Sequence, residues 1–89
     1  MQLPPIDRAG RKLEIGDWVR LVEIPAPVTP AESDTYAIFR LALGKTFRIE
    51  KFDAFGHAEL NVSRKVEKHH WIWVEPACLL RWRRGNKLY

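Results

Sequence analysis

The chain has 89 residues, of which 46% are hydrophobic and 29% charged, and its formal net charge at pH 7 is +4. This length predicts one small domain, and the composition is typical of a soluble globular protein. A single cysteine, Cys78, excludes an internal disulfide framework and a multi-thiolate zinc site. The N-terminal residues show no secretory signal, and every uncharged stretch is far shorter than the ~20 residues of a membrane span, so we expect a cytoplasmic protein.

The positive charge lies in the second half of the chain. Residues 1–44 hold five basic and six acidic side chains, for a net charge of −1, whereas residues 45–89 hold ten basic and five acidic, for a net charge of +5. A local excess of one sign raises association rates with phosphates or acidic proteins. A modest positive balance is also ordinary for a solvated surface.

The first half begins with a turn and a strand. Residues 6–13 are typical of a tight turn between two extended segments, in which Gly10 takes a positive φ. Val19 and Leu21 alternate with Arg20, and this alternation predicts a strand over residues 18–24 with one buried face.

A proline-containing loop and a short helical segment come next. The prolines of residues 25–30 exclude that stretch from a sheet ladder and predict an exposed loop. Polar capping residues precede residues 35–43, where Tyr36, Phe39 and Leu43 are spaced three and four apart. We expect one to two helical turns there, packed across one end of the sheet, although Gly44 could equally end a long irregular loop.

The second half predicts four strands. Residues 46–53 and 57–63 both alternate and form a hairpin, with a bulge near Glu50 and Lys51. Residues 69–75 form another strand, Pro76 opens a tight turn, and residues 79–83 form the last strand. With residues 18–24 these make five short strands, and a small bent barrel is the most economical way to combine them.

The opening of the chain resembles that of bacterial SH3-like barrels, including KOW-type domains and the SH3-like part of nitrile hydratase β subunits. The residues that carry this resemblance are Asp7, Gly10, Leu13, Gly16, Asp17, Val19, Arg20 and Leu21. Residues 72–80 resemble the strand, 3₁₀ turn and final strand that close such barrels. The resemblance implies a mainly β, single five-stranded SH3-like barrel over residues 6–83, between a flexible N-terminus (residues 1–5) and a flexible basic tail (residues 84–89). The long proline-containing loop and the short helical turn near residues 35–43 depart from the minimal pattern, and barrels of this kind serve many functions.

The residue pattern gives little support for catalysis or for a cofactor. His69 and His70 are adjacent on a strand and so point to opposite faces, which makes them poor partners for one metal ion. Cys78 follows a proline turn among apolar residues, where a lone thiol usually acts as a small buried hydrophobe. No catalytic triad spacing or phosphate-binding glycine loop is present in the sequence. We therefore expect neither an enzyme nor a bound cofactor or metal.

The tryptophans are the most informative side chains. On the strand at residues 69–75, Ile72 and Val74 share one face and Trp71 and Trp73 share the other, so an aliphatic core leaves both indoles outside. Trp82 lies on the last strand. Three interpretations stay open: the loop or the helical turn covers these rings, they form a protein interface, or they stack nucleic-acid bases.

These considerations predict a binding surface made of Trp71, Trp73, Trp82, Arg81, Arg83 and Arg84. The first hypothesis is a non-enzymatic interaction module for a protein or peptide partner, or for a second copy of the chain. The alternative is a KOW-like nucleic-acid-binding barrel, in which phosphates also contact Arg64, Lys65, Lys68 and Lys87. We favour the first, because Glu59, Glu67 and Glu75 interrupt the basic residues.

Overall fold

The computed structural model describes residues 2–31, 33–63 and 71–83, and this part of the chain is mainly β. In chain order the elements are β1 (Trp18–Leu21), α1 (Ser33–Ala42), β2 (Thr46–Phe52), β3 (Ala58–Asn61), β4 (Trp71–Val74), a 3₁₀ turn (Pro76–Cys78) and β5 (Leu79–Arg83). The strands form one antiparallel sheet with the order β4-β3-β2-β1-β5. The predicted five-stranded, mainly β architecture is therefore confirmed.

The sheet is not closed into a barrel within the described residues. β4 pairs with β3 alone and β5 pairs with β1 alone, so these two are the edge strands. The 3₁₀ turn connects them along the chain. Closure of the barrel therefore stays a prediction.

The alternation that predicted the strands also places their side chains. Ile72 and Val74 are buried while Trp71 and Trp73 are exposed, as the period of two requires. The predicted bulge is present, because the register of β2 against β3 shifts between Ile49 and Lys51. The core collects the inward-facing residues of all five strands together with Leu13, Phe39, Ala42 and Val62.

The helical segment is longer than predicted. It has ten residues rather than one to two turns, and it buries Phe39 and Ala42. Leu43, expected on the same face as Phe39, lies after the last helical residue and is 42% exposed. Gly44 ends the helix with a φ of 85°, and its N–H donates to the carbonyl of Leu21 at 2.8 Å. The alternative of a long irregular loop is therefore wrong.

The N-terminal turn covers the outer edge of β5. The N–H of Arg8 donates to the carbonyl of Leu79 at 2.8 Å, and the N–H of Arg81 donates to Oδ2 of Asp7 at 2.8 Å. Asp7 is buried, and Gly10 in the same turn has the predicted positive φ, 85°. This turn protects one edge of the sheet, whereas β4 has backbone partners only on β3 in the described part of the chain.

Candidate binding surface

Two exposed indoles occupy the outer face of the edge strand β4. Trp71 is 41% exposed and Trp73 is 50% exposed, while Ile72 and Val74 between and beside them fill the core. We call Trp71 and Trp73 the β4 surface. Because a strand rises by ~3.3 Å per residue, the two indoles start about 7 Å apart on one face.

The proline-containing loop does not hide these rings. Val28 from that loop and Ile24 just before it pack against the core, so their apolar side chains point inward. Trp82 is likewise 57% exposed. The interpretation in which the loop or the helical turn covers the rings is therefore not supported, and the other two stay open.

The predicted surface is divided between the two ends of the sheet. Trp71 and Trp73 lie on β4, whereas Trp82 and Arg83 lie on β5, and the strands β3, β2 and β1 separate the two in the pairing order. The predicted contact residue Arg84 lies outside the described residues, as do His69, His70, Arg64, Lys65, Lys68 and Lys87.

Arg81, another predicted contact residue, is tied to the N-terminal turn. It pairs with buried Val19, and its backbone N–H is bound by Asp7. Its guanidinium donates to the carbonyl of Lys12 at 3.4 Å. This arginine therefore helps to hold the turn against β5, and it does not share the outer face with Trp82.

A second group of side chains spans β1, β2 and β5, and we call it the Arg–Trp cluster; Arg48, Trp82 and Arg83 in it are exposed, and the other two are half-buried. Its members are Trp18, Arg20, Arg48, Trp82 and Arg83. The Cζ atom of Arg20 lies 4.3 Å from the ring centroid of Trp82, and that of Arg83 lies 5.6 Å from the ring centroid of Trp18. Both distances are within the range of cation–π attraction.

The pairing of three strands brings the cluster together. Trp18 on β1 lies opposite Arg48 on β2 and opposite Arg83 on β5. A register shift between Trp18 and Val19 leaves Trp82 as the extra residue of β5, and both Trp82 and Arg83 are exposed. The sequence prediction missed Trp18, Arg20 and Arg48 as contact residues. The local pattern does not indicate that β1 lies between β2 and β5 in the sheet.

The arginines of the cluster differ from the other cations in their partners. Arg8 pairs with Glu23, Arg11 with Asp7, and Lys51 with Glu59. In residues 2–31, 33–63 and 71–83, no carboxylate lies within ion-pair distance of the cluster's three arginines; Arg48 instead donates through Nε to the carbonyl of Gly16 at 3.3 Å. The positive charge of this face is therefore not neutralised by the described part of the chain.

Cys78 has the surroundings of a structural thiol. Its side chain is buried, as predicted, and burial raises its pKa, with a further increase from the negative charge of Glu75 that exceeds the opposite effect of Arg8. Such a thiol stays protonated at neutral pH and is a poor nucleophile. The described residues also contain no group of three His, Cys, Asp or Glu side chains placed to hold a metal ion.

Comparison of the chain with protein-family models, with curated proteins and with solved structures gives no match. The SH3-like resemblance therefore remains a prediction from the residues. No helix in the described part of the chain is both long enough and apolar enough to cross a membrane.

Proposed function

We propose that this protein is a non-enzymatic interaction module of the cytoplasm, built as an SH3-like barrel, that binds a protein or peptide partner through the β4 surface. The observation that carries the proposal is a pair of exposed indoles on the edge strand β4. The free hydrogen-bonding edge of this strand has no strand partner among the described residues. Exposed aromatic side chains that are grouped on a surface mark interaction sites more often than isolated ones do.

The partner contributes an extended segment that adds a strand beside β4, which requires the barrel to stay open between β4 and β5. In this mode backbone hydrogen bonds supply affinity, and side chains at alternate positions supply specificity. Trp71 and Trp73 are two residues apart on one face, so they contact two side chains of the added strand that are also two residues apart. Apolar or aromatic side chains at those two positions match the indoles.

The indoles supply a substantial part of the binding free energy. A tryptophan side chain buries up to ~250 Å², so covering the remaining half of each ring removes about 100 Å² from water and contributes about 2.5 kcal/mol. Two such contributions total about 5 kcal/mol, which only matches the low end of the ~4–15 kcal/mol cost of association, so the backbone hydrogen bonds are also required. Replacing one indole by serine is therefore expected to weaken binding by about 50-fold.

The test compares the wild-type chain with Trp71→Ser/Trp73→Ser and with the matched control Trp82→Ser, which changes an equally exposed tryptophan at the other end of the sheet. Each is used to capture proteins from the native cells, and the partner found is then purified and titrated against all three. We expect a measurable Kd for the wild type and the control and a loss of more than 50-fold for the double variant. Equal weakening by the control, or no partner that distinguishes the double variant, contradicts the proposal.

Light scattering separates a second copy of the chain from a different protein. If the partner strand is the β4 strand of another copy, the mass rises from 10.4 kDa to twice that value as the concentration increases. The double variant then stays monomeric while Trp82→Ser still dimerises. If the wild-type chain stays monomeric throughout, the partner is a different protein.

A further inference from the structure

The Arg–Trp cluster is a second, independent candidate site, at the opposite end of the sheet order from the β4 surface. Its chemistry differs from that of β4, which carries no charged side chain. The outer face of β1, β2 and β5 carries three arginines against one acidic residue, Glu50. A ligand for this face must therefore be anionic and must also pack against the exposed indole of Trp82.

We propose that the Arg–Trp cluster binds single-stranded nucleic acid. Trp82 is held from one side by the guanidinium of Arg20 at 4.3 Å, and more than half of its surface remains exposed. A base that stacks on the exposed side forms a three-layer sandwich with the indole and the guanidinium. This combination of a cationic surface and an aromatic platform is how single strands are bound without sequence preference.

The remaining arginines are placed to hold the backbone of the strand. Arg48 and Arg83 are both exposed and lie on opposite sides of Trp18, two strand spacings or about 10 Å apart at the main chain. Guanidinium groups bind phosphate oxygens through paired N–H donors. Arg20 contributes to the stacking platform, because its positive charge lies directly beneath the indole of Trp82. Its buried Nε has no hydrogen-bond acceptor among the described residues.

A duplex and an acidic peptide fit the same face less well. In a duplex the bases stack on each other, so they are not available to an indole on the outside of a sheet. Carboxylates of an acidic peptide pair with the arginines but leave the exposed side of Trp82 without a planar partner. Dependence on Trp82 therefore distinguishes a single strand from the other anions.

The experiment measures fluorescence anisotropy of a labelled oligothymidylate of about 15 nucleotides, a length that fits the ~4–16 nucleotides that one small barrel covers. The variants are Trp82→Ala, Trp82→Phe and Arg48→Gln/Arg83→Gln. The controls are Trp73→Ala for an exposed indole elsewhere and Arg40→Gln for an exposed cation on α1. Circular dichroism confirms that each variant is folded before titration.

We expect a Kd of ~10⁻⁴–10⁻⁶ M in about 50 mM salt. Two phosphate contacts, at Arg48 and Arg83, at ~0.7 each give a logarithmic salt slope near −1.4, so fourfold more salt weakens binding about sevenfold. The double arginine variant reduces the size of that slope by about 1.4. Trp82→Ala weakens binding at least about fivefold and Trp82→Phe restores most of it, whereas both controls bind like the wild type.

Three results overturn the proposal. The first is no change in anisotropy at about 50 µM protein in low salt, where even non-specific binding is measurable. The second is an unchanged salt slope in the double arginine variant. The third is polyglutamate or a duplex binding as tightly as the oligothymidylate with no effect of Trp82→Ala, which makes the cluster a site for anions in general. None of these results bears on the β4 surface, because that proposal is tested by other residues.

Discussion

Replacing Asp7 by asparagine is predicted to destabilise the protein strongly, although the two side chains have almost the same shape. Oδ1 of Asp7 accepts the N–H groups of Ala9 and Arg11 at 2.9 and 2.8 Å. Oδ2 accepts the N–H of Arg81 at 2.8 Å and Nε of Arg11 at 3.2 Å. An amide that keeps its oxygen toward the turn places an NH₂ group against these last two donors.

The size of the effect follows from the bonds that are lost. Hydrogen bonds to a charged group contribute ~1.5–3 kcal/mol each, so the loss of two of them, less the desolvation cost of the carboxylate, leaves a destabilisation of about 3 kcal/mol. A domain of this length has a total stability of about 4–13 kcal/mol. At ~4–8 °C per kcal/mol, Tm is expected to fall by about 12–24 °C.

The assay is thermal unfolding at pH 7, followed by circular dichroism and by tryptophan fluorescence. The matched control is Asp53→Asn. Oδ1 of Asp53 accepts the N–H groups of Phe55 and His57 in a similar local loop, but among the described residues Oδ2 meets only the imidazole of His57, with its Nδ1 at 3.2 Å. The control should lose clearly less in Tm. If Asp7→Asn unfolds within about 3 °C of the wild type, or if the control loses as much, Asp7 does not hold the turn against β5.

Three further outcomes test the account of the fold. Burial raises the pKa of Asp7, but the N–H groups and the charge of Arg11 outweigh this effect and hold the pKa below 3.8. The stability that Asp7 provides is therefore complete above pH 3.8 and is lost as the pH falls below that value. Acid titration of unfolding should show this decline in the wild type and not in Asp7→Asn. In Gly56→Ala the new Cβ would lie 2.5 Å from the carbonyl oxygen of Leu3, at a φ of 92°, so we expect the free energy of unfolding to fall by about 2–4 kcal/mol. The control Gly10→Ala has the same sign of φ but open space around the new Cβ, so it should lose only about 1–2 kcal/mol. Equal losses in chemical denaturation would contradict the packing of Leu3 on this turn. Cys78 should react with a disulfide reagent only at the rate of unfolding, and prompt labelling of the native protein would show that its burial is wrong.

The strands and their faces are predictable because a period of two is a local property. Ile72 and Val74 alternate with Trp71 and Trp73, so the β4 surface follows from four consecutive residues once the aliphatic side is assigned to the core. The helix was harder to delimit. Leu43 has the right spacing from Phe39, but Gly44 ends the helix and Ala42 fills the buried position instead.

The Arg–Trp cluster lies beyond local pattern reasoning because it depends on pairing. Trp18 meets Arg83 only because β1 pairs with β5, 65 residues later in the chain, and this pairing is a property of the whole sheet. The outward position of both Trp82 and Arg83 further depends on the register shift opposite Trp18. The sequence contains one useful signal, which is that Trp18 and Arg20 occupy the outer positions of a strand whose inner positions are Val19 and Leu21.

The central claim, that β4 is the edge at which a partner binds, is tested most directly by site-specific photo-crosslinking in the native cells. A photoreactive phenylalanine analogue is placed at Trp73, and in a parallel chain at Phe55, which is 65% exposed in the turn between β2 and β3. The account predicts one defined crosslinked product at position 73, with its crosslink in an extended segment of the partner, and none at position 55. The same product at both positions, or products at neither, would contradict it.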